Sequence, residues 1–168
     1  MLKTVVFKVN SFFTLYESAL IGYMEYRESF KILYLGFNID DVFRERIINS
    51  TLFDEVVCIP QIEKNIETVE RRINGFLYSY DNIDDYFMCV FSDGYSIALA
   101  HKLQGKAKIH IFPEGSSAIN LRNRIDYNIN YLYGENRDLI RVYDEYPIDL
   151  SLFDYLWTYD EKMEQGID

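Results

Sequence analysis

The chain is poor in the residues that usually announce chemistry. It has two cysteines, two histidines, three prolines and eight glycines in 168 residues. Cys58 and Cys89 both sit in apolar runs, with no C-x-x-C and no Cys/His spacing that would hold a metal. No metal and no cofactor is expected. The thiols read as buried and reduced, which suits a cytoplasmic protein. No run approaches the ~18 apolar residues of a membrane span. "TVVFKV" near the start gives way to Asn10-Ser11 too soon for the apolar region of a signal peptide. There is no G-x-G-x-x-G after the first strand, no Walker-type loop and no G-x-S-x-G, so the common dinucleotide, nucleoside-triphosphate and hydrolase signatures are missing.

Positive charge is also scarce. Lys and Arg number 17 against 27 Asp and Glu, for a net charge of −10, and the basic residues are scattered. A nucleic-acid binder draws most of its affinity from phosphate neutralisation and shows a basic face. Nucleic acid is therefore excluded as a partner, and direct docking on an anionic membrane is disfavoured. Any membrane association would come through other parts of a larger enzyme.

What the chain has in quantity is apolar and aromatic material. Hydrophobic residues make up 49%, with 15 Tyr and 12 Phe. That builds a core and excludes disorder. It also exceeds what a small core needs, so some aromatics are expected at a cleft or an interface, and a homodimer is a candidate assembly.

The pattern alternates along the chain. "KTVVFKV" (3–9), "KILYLGF" (31–37), "FDEVVCIP" (53–60), "DYFMCVFS" (85–92) and "AKIHIFP" (107–113) read as strands. Between them, 13–27 carries Leu15, Ala19, Leu20, Tyr23 and Met24 at helical spacing. Residues 40–50 form a short helix that Asp40 or Asp41 can cap. Residues 62–80 set Ile62, Ile66, Val69, Ile73 and Leu77 on one stripe, and 93–105 ends on Gly105. This predicts one α/β domain over 1–168: a Rossmann-like, mainly parallel sheet of five to six strands, with helices on both faces. From about 120 to 168 the period is lost and an irregular segment is expected.

Ligands of open parallel sheets bind outside the C-terminal strand ends. The candidates there are Asn10 and Ser11 after the first strand, Ser92 and Asp93 after the fourth, and Glu114, Gly115, Ser116 and Ser117 after the fifth. Asp93 also suits a helix cap. Glu114, at the exit of a central strand, either accepts backbone N–H bonds or acts as a base whose basicity burial would raise. Spacing leaves both open. His110 alternates with Ile109 and Ile111 and reads as a satisfied core histidine, and His101 as a helix-surface residue.

"IHIFPEGSSAIN", with "VNSFFTLYESAL" and the strand pair around "FMCVFSDGYSIALAHKLQG", resembles bacterial sialyltransferase and polysialyltransferase-like glycosyltransferases. The resemblance spans about residues 4–120. It implies the N-terminal, acceptor-side domain of a GT-B enzyme for capsule or lipooligosaccharide synthesis. In that family the acidic residue before the Gly is the general base, a role that falls on Glu114. Pro113 stands where the family has a further acidic residue, and the family's His-Pro motif has no counterpart here. The implied partners are a glycan acceptor and a nucleotide-sugar donor held by a second domain. The implied reaction is inverting, metal-free transfer, with no turnover by this domain alone. The alternative is a non-catalytic Rossmann- or flavodoxin-like binding or interaction module.

Overall fold

The computed structural model describes residues 2–58, 65–89, 94–112, 142, 144–147 and 150–156. Six strands form one sheet: β1 (Thr4–Val9), β2 (Phe30–Leu35), β3 (Glu55–Cys58), β4 (Asp85–Met88), β5 (Lys108–Ile111) and β6 (Tyr155–Leu156). Four helices alternate with the first five strands: α1 (Phe12–Met24), α2 (Asp41–Asn49), α3 (Ile66–Ser79) and α4 (Gly94–Leu103). The order is β3-β2-β1-β4-β5-β6 and every pairing is parallel. This is the order of the doubly wound Rossmann fold, with its reversal between β1 and β4.

The central strands are buried on both faces, which is why they read as continuous apolar runs. On one face Val6, Ile32, Tyr34, Tyr86, Met88 and Ile109 pack under α3 and α4. On the other, Val5, Phe7, Val9, Leu33, Leu35 and Phe87 pack under α1 and α2. The α3 stripe meets the core through Val69, Ile73 and Phe76. Asp40, and not Asp41, caps α2 by accepting from Phe43 N at 2.8 Å.

The register rests on a repeated device. Asp54, Asp84 and Asp154 each stand one residue before a strand. Each carboxylate accepts a backbone N–H at the entrance of the neighbouring strand, at Lys31, Thr4 and Ile109 respectively, all at 2.7 Å. Each Asp backbone N–H then donates to Lys31 O, Thr4 O or Ile109 O at 2.8 to 2.9 Å. These carboxylates give an entrance amide a charged acceptor.

Two expectations change. The irregular segment contributes a sixth strand, β6, paired in parallel with β5. And α1 lies with the opposite face inward. Leu15 is buried as expected, but Leu20, Tyr23 and Met24 are exposed, while Thr14, Ser18, Ile21 and Gly22 are buried. Thr14, Ser18 and Gly22 recur every four residues and form a ridge of small side chains. The helix can therefore lie close to the sheet: a β-carbon at Gly22 would stand 3.4 Å from Lys31 Cδ and 3.7 Å from Phe7. Close approach selects the small face, and the large apolar side chains turn outward.

Candidate functional site

The strand-order reversal puts the C-terminal ends of β1 and β4 at the edge where such sheets bind ligands. Of the residues expected there, Asn10 and Ser11 are described. Glu114, Ser92, Asp93, Gly115, Ser116 and Ser117 lie outside the described residues.

Only Asn10 and Ser11 separate β1 from α1, which leaves no room for a glycine-rich phosphate loop. Ser11 is the N-cap of α1. Its hydroxyl accepts from Thr14 N at 3.2 Å, and Thr14 Oγ1 accepts from both Ser11 N and Asn10 N at 3.2 Å. Asn10 Oδ1 accepts from Lys8 Nζ at 2.5 Å. Lys8 is 1% exposed, and its amino group lies 5.5 Å from the Tyr34 ring centroid. Gly36, at the end of β2, makes this arrangement possible, since a β-carbon there would run into Lys8 Nζ and stand 2.5 Å from Asn10 Oδ1. These bonds account for both Asn10 and Ser11 without a ligand. Sequence reasoning missed Lys8, although a lone lysine near the end of a strand buried on both faces was the available signal.

A second polar group lies on the same sheet face as α1. Asp85 is buried, and its Oδ1 is 2.7 Å from His110 Nε2 while its Oδ2 is 2.5 Å from Lys3 Nζ. His110 is stacked between Phe87, at 4.2 Å, and Tyr155, at 4.8 Å. Burial works against the ionised Asp85, but the hydrogen bonds and attraction of His110 and Lys3 outweigh it and hold the carboxyl below its ordinary 3.8. Burial, with the adjacent Asp85 carboxylate, pushes the Tyr26 hydroxyl well above its ordinary range. His110 is thus a satisfied core histidine. His101 is half-buried at 2.7 Å from Pro147 O. No cluster of three or more metal-ligating side chains occurs among the described residues.

The third feature is the outer face of α1. Phe12 (59% exposed), Phe13, Tyr16 (67%), Leu20 (42%), Tyr23 (58%) and Met24 (61%) lie within about a third of the helix circumference at 100° per residue. Phe12 is anchored by edge-on contacts with Phe37 and Phe43, at 5.2 and 5.1 Å. Arg27 lies over the Tyr23 ring at 4.4 Å and closes the other end. Glu17 is the only charged residue of α1, and it is buried. The outward face carries no charge at all.

No family model matches the chain, and no curated protein matches it. Among solved structures it is similar to an enoyl-(acyl-carrier-protein) reductase from Anaplasma phagocytophilum in complex with NAD, with a TM-score of 0.45 and 13% identity. The match covers 82% of this chain and 66% of that one, so the chain spans just under two thirds of its length. A likeness at that level says nothing of activity. The expected kinship with sialyltransferase-like glycosyltransferases is corrected by these comparisons: no family model and no curated protein supports it, and the solved structure named here is a reductase. The inverting transfer, the nucleotide-sugar donor, the glycan acceptor and the capsule or lipooligosaccharide role rested on that kinship and go with it. The physical reason is that the proline, glycine and serine residues on which the resemblance leaned are the residue types that turns of unrelated folds share. No helix among the described residues is long and apolar enough to cross a membrane.

Proposed function

We propose that the chain is a non-catalytic interaction module: a Rossmann-ordered sheet that presents the outer face of α1 to a protein partner. The observation that carries this is the inversion of α1. Its small residues Thr14, Ser18 and Gly22 are buried, and its large apolar residues, from Phe12 to Met24, are exposed. A contiguous exposed apolar face marks a contact site, and aromatics with Met and Arg, without acidic groups, are the composition of interface cores. The polar groups described elsewhere support the same conclusion, because Lys8, Asn10, Ser11, Asp85 and His110 all have bonds that serve the fold.

The test is Tyr16→Glu combined with Leu20→Glu, melted at about 1 µM so that association adds little to stability. A face kept for a partner gives a melting temperature within roughly 3 °C of the parent. A face covered by this chain's own residues gives a fall of ~8 °C or more, because burying two carboxylates costs several kcal/mol. The second result would overturn the proposal.

A further inference from the structure

Resting on the interaction reading above, we infer that the partner on α1 is a second copy of this chain, with the two α1 helices packed antiparallel across a two-fold axis.

Charge is the first argument. At a net charge of −10, two copies repel each other over most of their surfaces. The α1 face is uncharged over 13 residues, so it is where two copies can meet without opposing carboxylates.

The rim is the second. Arg27 stands at the Tyr23 end of the stripe. Asp40 and Asp41, exposed at the start of α2, flank the Phe12 end through the Phe12–Phe43 contact. Both ends carry both signs, since the exposed Glu25 and Glu28 flank Arg27 and the exposed Arg44 and Arg46 follow Asp41, so two copies can close there without opposing blocks of like charge.

Spacing is the third. A two-fold axis requires a self-complementary surface. The stripe runs from Phe12 to Met24, so its midpoint falls at Ser18. Tyr16 of one copy then lies against Leu20 of the other, Phe12 nearest Tyr23 and Phe13 nearest Met24. Each pair sets an aromatic ring against an aliphatic, thioether or aromatic side chain.

Area sets the strength. Six side chains of roughly 200 Å² each, about half exposed, offer on the order of 600 Å² per copy. A standard interface buries about 800 Å² per partner. The α1 face supplies most of that, and the expected dimer is reversible, with a dissociation constant on the order of 10 µM.

The experiment is sedimentation equilibrium of the full chain from about 1 to 200 µM, a range chosen to bracket that constant. The expected result is a mass that doubles across the range. Leu20→Glu should weaken association at least a hundredfold. Tyr16→Ala serves if a charged variant loses its circular dichroism, with at least a tenfold weakening expected. A parent that stays monomeric at 200 µM overturns the inference. So does a dimer indifferent to Leu20→Glu and to Tyr16→Ala. A monomeric parent whose Tyr16→Glu/Leu20→Glu variant melts like the parent removes the second copy as partner while the interaction reading stands.

Discussion

The Asp85 carboxylate lies 2.7 Å from His110 Nε2, and both side chains are almost wholly buried, on adjacent parallel strands. The pair joins β4 to β5, and Lys3 completes it from β1's entrance. Removing one member of a buried charged group leaves the others unpaired. Asp85→Ala should therefore cost about 3 kcal/mol by chemical denaturation. Lys3→Ala should cost under about 1 kcal/mol, since Lys3 is nearly half exposed and water can replace it.

The same group sets an acid limit. Asp85 has a folded pKa below its ordinary 3.8, so it contributes stability that is present above that value and lost as pH falls through the folded one. On the alkaline side, burial and the Glu55 carboxylate push the Tyr80 hydroxyl up to about 12, and burial and Glu70, at 2.8 Å, do the same for Tyr146. Raised folded values mean that their contribution is present below pH 10 and lost as pH rises from there through about 12. A urea-midpoint profile against pH should fall in both windows. Asp85→Asn should flatten the acid limb, and Tyr80→Phe with Tyr146→Phe the alkaline one.

The aspartate device predicts equal and independent effects. Asp84→Ala removes the acceptor for Thr4 N, and Asp154→Ala the acceptor for Ile109 N. Each should cost about 1–2 kcal/mol, the usual loss for a charge-assisted bond to a backbone amide. The double variant should show the sum, because the two clamps share no residue. A large coupling energy between them would contradict this.

Gly94 opens α4 against Val142, and a β-carbon there would come within 2.6 Å of Val142 Cγ1. Gly94→Ala should destabilise by roughly 1–3 kcal/mol through overpacking. Val142→Ala in the Gly94→Ala background should cost less than it does alone, which a double-mutant cycle on urea midpoints would measure.

The sheet was legible in the sequence because buried parallel strands are written as unbroken apolar runs, and five such runs alternate with helices. Its sixth strand was not legible. β6 is two residues long and is held by the Asp154 clamp, which leaves only the short "FDY" echo of "FDE" and "IDD". The α3 stripe was readable because one face of that helix is polar. The α1 orientation was not, because the large apolar side chains face outward and the buried face mixes Thr14, Glu17, Ser18 and Gly22 with Leu15 and Ile21, so side-chain size and the approach of the sheet to Gly22 decide it. At the candidate site, Asn10 and Ser11 were found as polar residues at a strand exit. Their partners Lys8 and Thr14 were not: the lone lysine in an apolar strand was a signal that went unread, while a threonine in a helix carries none until its neighbours are known.

The measurement that bears most directly on the interaction reading is the thiol-labelling rate of Tyr16→Cys in dilute protein, at about 1 µM, where association contributes little. Cys89, 1% exposed, serves as the internal measure of a covered thiol. An outward face kept for a partner predicts labelling at position 16 within about tenfold of a free peptide thiol, with Cys89 slower by a hundredfold or more, because it reacts only through opening of the fold. Slowing at position 16 to near the Cys89 rate in the dilute chain would show that the face is covered from within, and would contradict the account.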